Sequence, residues 1–157
     1  MKNYYSFRDI SGKNALEQYK KAVIKAIDAT LKAEELALPG SVSVLFVCDN
    51  EMRGINNEFR GSDINTDVLS FPASDDFENF PGDPENGALL LGDIVINTDR
   101  AARQAEELGQ SSAREIVFLT IHSVLHLLGY DHEISKDEEE IMCERQKEIL
   151  KAIERSK

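Results

Sequence analysis

The chain has 157 residues, 41% hydrophobic and 30% charged, which is typical of one globular domain with a substantial core and excludes a disordered chain. No apolar run approaches the roughly 18 residues that a membrane-spanning helix needs, and the first ten residues lack the apolar region of a signal peptide. We therefore expect a cytoplasmic protein without a membrane segment, in which Cys48 and Cys143 remain reduced.

The net charge of −11 is unevenly distributed along the chain. Residues 1–60 carry nine basic and eight acidic side chains, whereas residues 61–157 carry nine basic and twenty-one acidic ones. We therefore expect an anionic partner to meet the first of these regions. Its candidate contacts are Lys20, Lys21, Lys25, Lys32, Arg53 and Arg60. Each of these, taken singly, is more typical of a solvated helix face.

The first half of the chain predicts alternating strands and helices. Asn14 with Glu17 resembles a capping box that begins a helix. Apolar residues at helical spacing from Leu16 to Leu31 predict that one face of this helix is buried. The elements expected here are a strand over 3–8, this first helix, a strand over 41–48, a short helix over 50–59 and a strand over 67–73.

The second half begins with an acidic segment rich in Pro and Gly, residues 73–88, which predicts a mobile loop. The elements expected after it are a strand over 88–97 with a bulge at Gly92-Asp93, a helix from Asn97 or Thr98 to Gly109, a helix begun by a Ser112–Glu115 capping box and ended near Gly129, and a last helix from Ser135 to about Arg155. Strands and helices do not alternate as regular βαβ units. This order predicts an α+β fold, a small mixed sheet packed with about five helices, in one domain over 1–157.

All three histidines of the chain, His122, His126 and His132, lie in one stretch, HSVLHLLGYDH. On a helix, the first two rings share a face and can bind one zinc ion. Gly129 lets the chain turn so that His132 can return as a third ligand. A lone histidine is usually an ordinary core or surface residue, but buried imidazoles need partners and this spacing provides a metal for all three. Three protein ligands leave one position open, which is typical of a catalytic zinc site.

The spacing matches that of the metzincin peptidases, HExxHxxGxxH. Those enzymes carry a general-base glutamate directly after the first histidine, where this chain has Ser123. A serine cannot take a proton from water as a carboxylate can. The pattern therefore predicts the metal site of a zinc hydrolase without the peptidase base.

Three blocks in the same order resemble the signatures of the YbeY family, bacterial metal-dependent endoribonucleases that are also described as rRNA maturation factors. The histidine block is similar to the family's HGxLHLxGYDH, with Ser123 where the family usually has glycine. The other two blocks are INNEFRGSDINTDVLSFP (55–72) and LGDIVIN (91–97). The resemblance covers essentially the whole chain. The serine at position 123, where the family usually has glycine, leaves open how the substrate fits at that point.

The resemblance implies that His122, His126 and His132 bind one Zn²⁺, or another divalent metal, and that Arg60 is the functional arginine. It implies a zinc-dependent, single-strand-specific endoribonuclease acting in small-subunit rRNA maturation and ribosome quality control. Expected partners are single-stranded or ribosomal RNA, the small ribosomal subunit and its assembly factors, with no DNA or membrane. A guanidinium suits this chemistry, because phosphodiester cleavage builds negative charge on phosphoryl oxygens.

Several residue roles stay open from the sequence. Asp131, beside His132, could accept a hydrogen bond from a ligand or simply form a turn. Thr66 and Asp67 are expected to cap a turn. The alternative functions are a zinc hydrolase or peptidase with another substrate, and a non-catalytic ribosome-assembly factor with a structural zinc.

Overall fold

A computed structural model describes residues 2–131 and 135–156 of the chain. It confirms the predicted α+β class, with a four-stranded mixed sheet and five helices in a single domain. The elements are β1 Tyr4–Asp9, α1 Ala15–Ala33, β2 Gly40–Val47, α2 Asp49–Arg60, β3 Val68–Pro72, β4 Leu89–Asn97, α3 Thr98–Leu108, α4 Ser112–Leu127 and α5 Lys136–Arg155.

The sheet has the strand order β1-β2-β4-β3. Strands β1, β2 and β4 are parallel, and β3 pairs antiparallel to β4 at one edge. The predicted bulge is present in β4, but the extra residue is Leu91, between partners Leu90 and Gly92. Gly92 has φ +139°, and a side chain there would meet the Phe71 carbonyl oxygen at 2.2 Å. A glycine is therefore required where β3 and β4 meet beneath α4.

The helices cover the two faces of the sheet unequally. On one face, α1 and α4 pack over alternate residues of β2 and β4, including Phe46, Ile94 and Ile96, each 0% exposed. On the other face, α2 packs through Met52 against Val95 and its neighbours. Helix α5 lies against α1 and α4 and completes a second apolar cluster. Helix α4 is therefore enclosed on several sides, as its apolar sequence predicts.

Two of the predicted capping boxes are wrong. Asn14 adopts a left-handed conformation with φ 56°, and its amide donates to the Glu17 carboxylate instead of capping backbone groups. Helix α4 begins one residue earlier than expected, because the Ser111 hydroxyl, rather than that of Ser112, accepts from the Arg114 N–H. The predicted start of α5 at Ser135 is confirmed, since the Ser135 hydroxyl accepts a hydrogen bond from the Glu138 N–H.

No helix in residues 2–131 and 135–156 is both long enough and apolar enough to span a membrane. Cys48 and Cys143 are both free thiols, as expected.

Candidate active site

Helix α4 brings His122 and His126 together on one face, as the four-residue spacing predicts. The two Nε2 atoms lie 3.1 Å apart, and the ring planes are inclined at 75°. Both side chains are half-buried, whereas Ile121, Val124 and Leu125 around them are 0% exposed. The apolar packing of α4 thus fixes the helix and turns the two imidazole edges toward one point.

This arrangement fits a bound metal ion. Two nitrogens that bind a tetrahedral zinc at about 2.0–2.1 Å lie about 3.3 Å from each other, close to the separation of these two Nε2 atoms. Imidazole nitrogens are ligands that zinc prefers. The predicted third ligand, His132, lies outside the described residues. Within the described ranges, no group of three His, Cys, Asp or Glu side chains completes a site.

Arg60 lies at the last position of α2, where Gly61 ends the helix with φ +65°. The Arg60 Nη2 donates a 2.8 Å hydrogen bond to the carbonyl oxygen of Ser70 in β3. Its guanidinium carbon also lies 5.4 Å from the centroid of the Phe71 ring, within the range of a cation–π contact. Helix α2 packs on the sheet face opposite to α4, so Arg60 and the two histidines approach β3 from different sides of the sheet.

A groove of about 570 Å³ brings these two parts together. We call His122, His126 and the Gly129–Asp131 turn its histidine wall, and Arg60 with the adjoining part of β3 its arginine wall. The groove thus unites side chains that are more than sixty residues apart in sequence. Of the six basic residues that the sequence singled out, only Arg60 lines it; Arg53 instead pairs with Asp63 at 3.5 Å.

The candidate acidic side chains also lie in this groove. Asp131 lines the histidine wall, where its predicted role toward a ligand stays a prediction. Asp67 lines the arginine wall, and its Oδ2 accepts a 3.3 Å hydrogen bond from Gln104. Its carbonyl oxygen accepts from the Asn97 N–H, which continues the β3–β4 ladder. Asp67 therefore extends the β3–β4 ladder and also lines the groove, whereas the turn cap that we expected from it stays a prediction.

A polar network at the end of β4 holds the arginine wall in place. The Asn97 amide, 0% exposed, donates to the Asp49 carboxylate, to the Asn65 side chain and to the Thr66 carbonyl oxygen. Arg103 donates two hydrogen bonds to Asp49, and these hold the pKa of that carboxyl well below its usual range. The network ties the start of α2 to the segment that leads into β3.

Two polar residues of α4 are buried away from the groove. Ser123 is 0% exposed, and its hydroxyl has no hydrogen-bond partner among the described residues. Glu115 is 3% exposed, and burial raises the pKa of its carboxyl, with a further increase from the charge of Asp67. The predicted capping role of Glu115 is wrong, because Ser111 alone caps the helix. Neither side chain lines the groove.

Two residues at the site were not found from the sequence. Phe77 lies in the groove although it belongs to the segment predicted as a loop, and it packs over Gly129 so closely that a side chain there would meet its ring at 2.8 Å. Gln146 in α5 contacts Nδ1 of His122 at 3.1 Å. Neither belongs to a motif, and only a residue pattern across many relatives could have signalled them.

Comparison with known proteins identifies the family of this chain. A family model described as Endoribonuclease YbeY matches residues 5–154. The chain belongs to the endoribonuclease YbeY family. A Clostridium botulinum protein named Endoribonuclease YbeY is 40% identical, over 87% of this chain and 89% of the relative. One of the same name from Caldanaerobacter subterraneus is 42% identical, over 92% and 90%.

The fold is shared with the solution structure of a Thermotoga maritima protein. The TM-score is 0.57 with 27% identity, covering 94% of this chain and 88% of that protein. The resemblance inferred from the three sequence blocks is therefore confirmed, and with it the enzyme class of the family. The individual roles of His122, His126, His132 and Arg60 stay predictions, as does the identity of the metal.

Proposed function

We propose that this protein is a zinc-dependent, single-strand-specific endoribonuclease that acts in the cytoplasm on ribosomal RNA during small-subunit maturation. The observation that carries the proposal is the groove itself, which is lined both by two imidazoles with converging Nε2 atoms and by Arg60. Family membership supports the ribonuclease activity. The ribosomal substrate, the small subunit and its assembly factors follow from the family resemblance.

In this proposal, His122, His126 and His132 hold the metal. A zinc ion held by these residues would supply Lewis acidity toward a phosphoryl oxygen or an attacking hydroxyl group. Among the described lining residues, Arg60 is the single cationic side chain, beside the acidic Asp67 and Asp131. Because the RNA backbone is anionic, a groove of this composition needs a cation at the histidine wall to hold a phosphate.

Arg60 stabilises the charge that develops on the phosphoryl group. A guanidinium carries five N–H donors, so its hydrogen bond to the Ser70 carbonyl oxygen leaves donors for a phosphate. The same bond and the Phe71 ring fix the direction in which the side chain extends. Phe77, 39% exposed within the groove, supplies a surface on which an unpaired base can stack.

The peptidase alternative is disfavoured by the sheet edge next to the groove. An extended peptide would bind there as an additional strand, through backbone hydrogen bonds to β3. Because antiparallel bonds alternate, the register with β4 turns the backbone groups of Ser70 and Pro72 outward. The Ser70 carbonyl is already bonded to Arg60, and proline has no N–H. This edge is poorly suited to pairing with a peptide.

The experiment that tests the proposed function follows cleavage of one RNA sequence in single-stranded and duplex form, by protein of measured zinc content. We expect cleavage of the single strand only, lost when a chelator removes the metal and restored by added zinc. Zinc-dependent cleavage of casein without RNA cleavage would support the peptidase alternative instead.

The non-catalytic alternative makes a different prediction. If the metal only stabilised an assembly factor, a folded variant without the metal ligands would still restore rRNA processing in a deletion strain. We expect no such restoration.

A further inference from the structure

Helix α5 places the side chain of Gln146 next to the ring of His122, a predicted metal ligand. The Gln146 side-chain nitrogen lies 3.1 Å from Nδ1 of His122, on the side of the ring opposite to the converging Nε2 atom. The two residues are 24 positions apart, so the contact exists only because α5 packs on α4. Neither the sequence pattern nor the family name assigns a role to this glutamine.

Gln146 is held firmly in this position. It is 4% exposed, and its neighbours on the same helix face, Met142 and Ile149, are 1% and 2% exposed. A buried amide must find hydrogen-bond partners, since leaving it unpaired destabilises the folded state. Nδ1 of His122 supplies such a partner to the buried amide of Gln146.

Arg145, the residue before Gln146, connects α5 to the end of α1. Arg145 forms an ion pair with Glu34 at the end of α1 and donates to the Ala33 carbonyl oxygen at 3.0 Å. Glu34 also accepts a hydrogen bond of 2.5 Å from the hydroxyl of Tyr130 on the histidine wall. These contacts join α5 to the end of α1 and to the histidine wall at the residue next to Gln146.

The chemistry of a metal-bound imidazole determines which amide atom faces the ring. When Nε2 binds a metal, the remaining proton lies on Nδ1, which becomes a hydrogen-bond donor. The amide must then present its carbonyl oxygen, and a 180° rotation about its terminal bond exchanges oxygen and nitrogen without moving the side chain. In metalloproteins such an acceptor fixes the ring and increases the basicity of the ligand.

We infer that Gln146 is a positioning residue for the metal ligand His122, accepting a hydrogen bond from its Nδ1–H so that Nε2 points toward the metal and His126. The inference rests on the proposed function, since it requires that His122 binds a metal. It gives α5, which contributes nothing to the described lining of the groove, a direct connection to the metal centre.

The test compares zinc affinity among three variants and the wild-type protein, using competition with a chromophoric chelator. Gln146→Met keeps the size of the side chain but removes the acceptor, and we expect zinc affinity to fall about 10–100-fold. Gln146→Glu keeps an acceptor and should retain or increase the affinity. Ile149→Val is the matched control, since it perturbs the same buried helix face without touching the ring, and should change the affinity less than about twofold.

Two further measurements separate positioning from folding. Thermal unfolding of the metal-free proteins reports any general loss of stability, and the visible spectrum of the cobalt-substituted protein reports the geometry of the ligands. We expect Gln146→Met to alter the cobalt spectrum and Gln146→Glu to preserve its intensity.

The inference is overturned if Gln146→Met binds zinc as tightly as Ile149→Val while the wild-type protein binds zinc normally. If the wild-type protein itself fails to bind zinc, the metal-dependent function is wrong as well. The two failures are therefore distinguishable.

Discussion

The histidine wall and the arginine wall of the groove are held by different forces. The histidine wall belongs to a helix enclosed by the sheet, α1 and α5, and apolar packing determines its position. The arginine wall lies at an exposed sheet edge, where hydrogen bonds to Ser70 and around Asn97 hold it. Packing suits metal ligands, which must be held closely in place, whereas the exposed Arg60 is oriented by one hydrogen bond and one ring contact. If the two walls are held independently, a substitution in one wall should leave the contacts of the other wall intact.

The largest expected effect follows from removing a ligand in the histidine wall. His126→Ala deletes one of the two converging nitrogens, so zinc affinity should fall by more than the roughly 10–100-fold cost of losing an outer hydrogen-bond partner. Cleavage of single-stranded RNA should fall to background with it. Zinc content by atomic absorption and cleavage on gels measure both, and unfolding curves check the fold. Full cleavage by a metal-free His126→Ala protein would refute the proposed mechanism.

Charge reversal at Arg60 should distinguish the roles of the two walls, because it should reduce RNA cleavage without changing zinc binding. Arg60→Glu removes the stabilisation of phosphoryl charge, so cleavage should fall about 10²–10³-fold while zinc content stays unchanged. Arg53→Glu makes the same change on the same helix outside the groove and should cost little. If both variants lose cleavage equally, the effect comes from overall charge and not from the groove.

The network behind the arginine wall should show its effect in stability. Asn97→Ala removes the cap of α3 and three hydrogen bonds to half-buried partners, so the free energy of unfolding should fall by about 1–3 kcal/mol. Urea denaturation measures the change, with the exposed Asn50→Ala as control. Comparable losses in the two variants would contradict a special role for Asn97.

The smallest expected effect concerns the buried carboxyl of α4. Burial raises the pKa of Glu115 above its ordinary value of 4.5, with Asp67 adding to the increase and Gln104 and Arg114 opposing it. The folded state therefore holds its proton to higher pH than the unfolded state does. The free energy of unfolding should fall as pH rises from the unfolded pKa through the folded pKa, by about 1.4 kcal/mol for each pH unit that separates these two pKa values.

Glu115→Gln should remove this fall, because its amide does not titrate. Urea denaturation of both proteins, measured from acidic to neutral pH, gives the free energy of unfolding at each pH. As pH rises, this free energy should fall in the wild type relative to Glu115→Gln. The exposed Glu107→Gln is the control. Parallel curves for wild type and Glu115→Gln would contradict the raised pKa.

The sequence was most informative where the interactions are local. The four-residue spacing of His122 and His126 predicts their shared face because the helix period alone determines it. The helix end at Gly109 was likewise predicted from neighbouring residues, whereas the start was narrowed to Asn97 or Thr98 and the structure assigns the cap to Asn97. At the start of α4 the pattern was misleading, because Ser112 was predicted as the cap and the neighbouring Ser111 has that role.

Contacts across the fold required the tertiary structure. Arg60 was singled out by its motif, but only the packing of α2 beyond the β3 edge brings it into one groove with the histidines. Phe77 and Gln146 carry no sequence signal, because their roles arise from a loop folding over Gly129 and a helix docking on α4. The sequence by itself determined the secondary structure, the family and the candidate metal ligands, since these depend on periodicity and motif. Tertiary packing decided what faces them, because distant segments meet only when the core forms.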